Sequence, residues 1–228
     1  MFESFPEVYR VDNGPYQGTL IDTFKVLEEG MGIELERQIT SWPRIMEYLG
    51  TDKYDFTFIF KVPAFEDKVH YLGKLGCLAD IIVPHQGVEI NSVEDIAGKN
   101  VAFIKNGGFA KANINNPTFI KSPAPDSPTM MRLLANGRVD AIVIHSGHYY
   151  RLLNSHEPRP GMPGDWRTKF GFPVVFQTYE VHLTLSKNSP HQNLIPKAKV
   201  AIKKQLENNA WAQALENHGM SFWPCPED

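Results

Sequence analysis

The stretch "FIFKVPAFEDKVHYLG" (residues 58–73) carries an apolar run into a cation, Lys61, at the mouth of a proline-containing loop. A lysine there meets an anion as a compact point charge, without the planar fork that a guanidinium offers. No arginine occurs between Arg44 and Arg132. A second stretch, "AFIKNGGFAK", sets Asn106, Gly107 and Gly108 after another apolar run. Backbone N–H groups in such a turn can cradle an anion, and glycine permits close approach. In isolation Asn-Gly-Gly is more often a plain turn. A third, "AIVIHSGHYY", ends an apolar run on His145 with His148 nearby. Two histidines without a third ligand at telling spacing make a poor metal site, so no metal is expected, and hydrogen bonding or a structural role is. Aromatic residues recur near these places: Phe5, Tyr9, Trp42, Phe60, Phe65, Phe109 and Tyr179. Some of them must be core, Trp42 most doubtfully a site residue, yet an aromatic wall suits a ligand with apolar or planar surface.

No Gly-x-Ser-x-Gly elbow, Gly-x-Gly-x-x-Gly fingerprint or His-Glu-x-x-His pair occurs, so hydrolase, dinucleotide and zinc-protease chemistries have no positive support, and no cofactor is expected. Cys77 and Cys225 fit neither a metal pattern nor a redox Cys-x-x-Cys. They are either inert thiols or one long-range disulfide.

The elements that must position these residues alternate between short apolar strands and amphipathic helices, an α/β signature. "TLIDTFKVLEEGMG" places Leu20, Phe24 and Leu27 on one helical face, with Gly30 and Gly32 as stop signals. "IELERQI" alternates as a strand, and "PRIMEYLGT" is a helix with Pro43 in its first turn. "YDFTFIF" is apolar enough to be a central strand of a parallel sheet. "LADIIVP" is a further strand, and "NSVEDIAGKNVAFI" reads as a capped helix, a glycine stop and a strand. "SPTMMRLLANGRVDAIVI" repeats that order. "EPRPGMPGDWRTKFGFP" is a loop, "VVFQTYEVHLTLS" a strand, and "PKAKVAIKKQLENNAWAQALENHG" one long helix burying Ala198, Ile202, Leu206, Trp211 and Leu215.

The 228 residues suffice for one large domain or two small lobes, with 42% hydrophobic and 21% charged residues. A net charge of -3, from 23 basic and 26 acidic residues, gives no basic stripe for nucleic acid or anionic lipid. No run approaches the ~18–20 apolar residues of a membrane span, and "MFESFPEVYR" lacks the basic and apolar regions of a signal peptide. A soluble chain is expected.

Taken in order, "PYQGTLIDTFKVL", "WPRIMEYLGTDKYDFTF", "INSVEDIAGKNVAFIKNGG", "LLANGRVDAIVI" and "LTLSKNSP" resemble the periplasmic solute-binding proteins that serve ABC importers for amino acids and other small polar solutes. The resemblance spans nearly the whole chain. It implies a type 2 binding-protein fold, α/β, with two lobes each built on a mixed sheet flanked by helices and joined by two crossing strands. Lobe 1 would comprise residues 1–81 and 182–228, lobe 2 residues 82–181, with a ligand clamped between them. It further implies a periplasmic location, a membrane permease of an ABC-type importer as partner, a monomer, and no catalysis. In such proteins a strand and a signal peptide precede the position that "FESFPEVY" matches; here almost nothing does, which points to a trimmed chain or a misplaced start codon, leaves open whether a first strand of lobe 1 is missing, and implies a leader removed or not included.

Amino-acid binders of this family place an arginine in the loop after the strand that "TFIF" matches, to fork onto the ligand's carboxylate. The matching position here is Phe65 or Glu66, leaving Lys61 as the nearest cation. They commonly place an aspartate where His145 stands, to receive the ligand's ammonium. With both anchors absent, the expected ligand is a carboxylate-bearing or aromatic/polar organic solute and not a standard zwitterionic amino acid. The ligand-binding set is Phe5, Tyr9, Trp42, Phe60, Lys61, Phe65, Asn106, Gly107, Gly108, Phe109, His145 and Tyr179. Two alternatives share the scaffold: an enzyme like the cyclohexadienyl dehydratases, with His145 and Glu66 as acid/base groups, or the sensor domain of a receptor.

Overall fold

The apolar face of "TLIDTFKVLEEGMG" folds as helix α1, Thr19–Met31, which ends where Gly32 turns left-handed at φ 58 and Ile33 N–H returns to Glu28 O. A computed structural model describes residues 7–10, 14–40, 42–105, 109, 117–154 and 161–225. It divides into two units: unit 1 is Met1–Leu78 with Tyr179–Asp228, and unit 2 is Ala79–Thr178. Two strands, β2 (Val69–Pro84) and β6 (Val174–Ser186), run from one unit into the other.

In unit 1, helix α2 (Trp42–Tyr48) precedes strand β1 (Phe56–Phe60). β1 pairs antiparallel with β6, from Phe56 opposite Leu185 to Phe60 opposite Val181. Among the described strands it stands at the end of the order, and its described partner is antiparallel, not parallel. The apolar run reflected burial of β1's side chains, which does not fix the direction of the partner strand. "IELERQI" also departs from expectation: residues 33–39 alternate between half-buried and exposed as a strand would, but join no ladder among the described residues.

The single long C-terminal helix is two helices, α5 (Ile195–Glu207) and α6 (Ala210–Glu216). Asn209 breaks it, at φ 56 the one described non-glycine residue with a left-handed backbone. Ala198, Ile202, Trp211 and Leu215 are buried, while Leu206, in α5 ahead of the break, is 42% exposed. Trp211 sits in a core formed by Phe24, Leu27, Phe58, Leu183 and Ile202, with its ring 6.0 Å from that of Phe58.

Cys77 and Cys225 form a disulfide. The C-terminal segment is docked beside it: Trp223 N–H donates to Cys77 O at 2.6 Å. At Gly76 a Cβ would stand 2.4 Å from the Phe222 ring, so the absence of a side chain is what lets that ring lie against β2.

Unit 2 is a mixed sheet. Strand β3 (Asn100–Ile104) runs parallel to both β4 (Ile120–Ala124) and β5 (Ala141–His145). The later half of β2 lies antiparallel to β5, Asp80 opposite His145 through Pro84 opposite Ala141. Before β3, the expected capped helix is a 3-10 turn, Val93–Ile96, where the Asp95 carboxylate accepts the N–H of Ser92 and of Asn91 at 2.9 Å each. Helix α3 (Ser127–Ala135) starts at Asp126, whose carboxylate accepts Thr129 N–H at 2.7 Å. Helix α4 (Ser146–Asn154) follows β5 without a break. Among the described residues no helix is long and apolar enough to cross a membrane.

Candidate functional site

The strands of unit 1 gather most of the chemistry. Period-two alternation along β6 puts Glu180 and His182 on one face, and their side chains meet, His182 Nε2 lying 2.9 Å from Glu180 Oε2. Lys74, on β2, reaches the other oxygen of Glu180, Oε1, at 3.1 Å, and Lys61, just after β1, lies 3.7 Å from Oε2. The hydrogen bond with His182 holds the Glu180 carboxyl below its ordinary range, with Lys74 adding to the effect against a desolvation that opposes it. His182 is buried, edge-on to the Tyr71 ring at 5.3 Å, and its Nδ1 has no partner among the described residues.

Tyr71 also fixes the loop that Lys61 opens. Val62 N–H donates to the Tyr71 hydroxyl, and that hydroxyl donates back to Val62 O, each at 3.3 Å. Burial pushes the Tyr71 phenol up. On the same strands the rings of Phe60 and Tyr179 lie 5.0 Å apart and tilted by 32°. Three of the expected residues, Phe60, Lys61 and Tyr179, are thus brought together. Glu180, Lys74, His182 and Tyr71 complete the group, and sequence reading passed over them. Two ammonium groups around one carboxylate leave an excess of positive charge beside a pair of aromatic faces, and both lysines reach solvent, at 50% and 39% exposure. Such a group can receive an anionic ligand that also carries planar surface.

The other expected residues fall elsewhere. Phe65 ends the 3-10 turn Pro63–Phe65 and packs against the cluster of Leu49, Ile59 and Val69. Tyr9 exchanges backbone hydrogen bonds with Gln17 and stands edge-on to His218, whose Nε2 lies 2.8 Å from Asp22 on α1. Asp22 is desolvated, which raises its pKa, but the hydrogen bonds with Lys25 and His218 outweigh this and hold it low. Trp42 is the first residue of α2. Phe5, Asn106, Gly107 and Gly108 lie outside the described residues.

In unit 2, Phe109 is 7% exposed and sits in the core with Phe103, Phe119 and Phe176 at 5.1–5.8 Å. His145 closes β5 with its ring 5.7 Å from that of His148. His148 Nδ1 lies 3.1 Å from Ser127 Oγ. Among the described residues no three histidine, cysteine, aspartate or glutamate side chains group as metal ligands.

Solved structures align over almost the whole chain. The second substrate-binding domain of GlnP from Lactococcus lactis matches with a TM-score of 0.68 at 14% identity, covering 95% of this chain and 91% of that one. An ancestral cationic amino acid solute binding protein, AncCDT-1, matches with a TM-score of 0.71 at 19% identity, covering 94% and 91%. This chain has the two-lobed periplasmic binding-protein fold. Identities this low speak for the fold alone. No family model matches the sequence. Among curated proteins, cyclohexadienyl dehydratase from Pseudomonas aeruginosa is 25% identical over 156 residues, 60% of this chain and 54% of the dehydratase. The chain therefore spans about half the length of that relative.

Proposed function

We propose that this protein binds a small organic solute without transforming it and presents it to a membrane permease of an ABC-type importer. The observation that carries the reading is the cluster of Lys61, Lys74 and Glu180 beside Phe60 and Tyr179, where the end of β1 meets β2 and β6 of a binding-protein fold. Its excess cation suits a carboxylate, and its aromatic pair suits a planar or apolar body. The lack of an arginine between Arg44 and Arg132 argues against the forked recognition of an ordinary amino acid's carboxylate. We assign the protein to a compartment outside the cytoplasm, in keeping with the Cys77–Cys225 disulfide, and take it to act as a monomer that closes on its ligand.

Isothermal titration against a panel of small aromatic and aliphatic carboxylates tests this. Saturable binding that weakens about tenfold in Lys61→Ala, or roughly 1.4 kcal/mol, is the expected result. Binding restricted to zwitterionic amino acids, or to nothing in the panel, refutes it.

The 25% identical dehydratase favours a second reading, an enzyme acting on cyclohexadienyl acids. His145 and Glu66 would supply the acid and base. Chromatographic detection of product from a cyclohexadienyl acid, lost in His145→Ala, would replace the first reading with this one.

A further inference from the structure

The proposed anion site contains an anion of its own, and the three charges there are not equivalent. Glu180 is held from two sides: Lys74 Nζ stands 3.1 Å from Oε1, and His182 Nε2 stands 2.9 Å from Oε2. An ionised carboxylate only accepts, so the imidazole donates at that contact. Its Nδ1, buried and without a partner among the described residues, offers no competing contact. The His182 side chain is 9% exposed and edge-on to the Tyr71 ring, which keeps it in place. Hydrogen bonds with His182 and Lys74 outweigh the desolvation of Glu180, so its carboxyl stays ionised at neutral pH. Lys61 is placed differently. Its backbone N–H donates to Glu180 O at 2.9 Å, which fixes the residue beside Glu180, yet its ammonium lies 3.7 Å from Oε2, beyond hydrogen-bond reach. It is also the more exposed of the two cations, at 50% against 39%.

Lys74 and Glu180 therefore neutralise each other as a hydrogen-bonded pair, while the Lys61 ammonium keeps its donors for a ligand. A monocarboxylate that reaches Lys61 completes the charge balance. A second carboxylate on the same ligand would find Lys74 engaged and a fixed negative charge beside it. We propose that Glu180 is a specificity-determining residue that limits the ligand to a single negative charge. This rests on the reading of the Lys61, Lys74 and Glu180 cluster as the ligand site. Repulsion by a like charge held in place excludes a competitor that attraction to the two lysines would otherwise favour.

Titration calorimetry of the whole chain at neutral pH compares phthalate, whose two carboxylates are adjacent, with its monomethyl ester, which keeps one. The wild type should bind the ester about tenfold more tightly than the diacid. Glu180→Gln should remove that preference, chiefly by tightening the diacid, with one repulsion lifted and one ammonium released, each worth roughly threefold at such exposure. Glu180→Asp, which keeps the charge, should keep the preference, and adding Lys74→Ala to Glu180→Gln should undo the gain for the diacid. High salt should narrow the wild-type gap. Equal or tighter binding of the diacid by the wild type, or a preference that Glu180→Gln leaves unchanged, overturns the proposal, while binding of the ester that depends on Lys61 keeps the reading beneath it. A preference lost in Glu180→Asp as in Glu180→Gln would trace to shape and overturn it as well. Should Glu180→Gln not fold, the wild-type salt series decides, since a gap that high salt leaves unchanged is not electrostatic and overturns the proposal. If neither compound binds the wild type, the ligand-site reading fails and the proposal with it.

Discussion

Replacing Cys77 by alanine and Cys225 by serine tests how the C-terminal segment is retained. The two cysteines are 148 residues apart, and the chain-entropy cost of closing a loop of that length is about 5 kcal/mol. If unit 2 stays folded while unit 1 unfolds, only about 50 residues of the loop become flexible, and the same relation gives about 4 kcal/mol. The contacts around the bond survive the substitution, since Trp223 N–H still reaches the carbonyl of residue 77 and Phe222 still lies on Gly76. The loss should therefore appear as stability and not as a changed fold. In a chain of this size it corresponds to a fall in Tm of roughly 10–20 °C. Urea denaturation of the wild type with and without reductant, beside the double variant with and without reductant, measures it. Reductant should bring the wild type to the variant's midpoint and leave the variant unmoved. A variant within ~1 kcal/mol of the oxidised wild type would refute the reasoning.

Glu180→Gln should flatten the acid limb of the stability curve. Because the folded carboxyl titrates below its ordinary value of 4.5, its contribution is present above that value and is lost as pH falls through the lower folded one; urea midpoints between pH 3 and 7 show whether the limb changes. Gly50→Ala should cost about 1–3 kcal/mol, since Gly50 has φ +87 and a Cβ there would stand 2.7 Å from Lys68 Cβ. Thermal melting checks this. Trp211→Ala, at a side chain 1% exposed in the unit 1 core, should cost about 3–5 kcal/mol, read as a shifted midpoint in the same denaturation.

Helices were legible where periodicity and stop signals agreed. Phe24 and Leu27 on α1, and Asn136-Gly137 after α3, stand where their spacing placed them. Asn209 was not legible as a break, because "ENNAW" reads as helix until one asparagine adopts a left-handed backbone. Nor was the pairing of "FTFIF", which depends on β6, more than a hundred residues away. At the candidate site, Lys61 stood out because its charge follows an apolar run. Glu180 and His182 could have been found from their period-two spacing in "TYEVHL", a carboxylate and an imidazole on one face of a strand. Lys74 and Tyr71 could not, since only the pairing of strands brings β2 beside them.

The interruption of unit 1 by unit 2 also sets an order of events during synthesis. Residues 1–78 leave the ribosome first, but β6, α5 and α6, against which β1 and α1 are built, follow only after residues 79–178. At ~5–20 residues per second that interval lasts roughly 5–20 s. Unit 2, contiguous in the chain apart from the part of β6 that continues into unit 1, can begin to fold meanwhile. For those seconds "FTFIF" is an apolar nascent segment without its strand, the kind of segment that chaperones exist to shield.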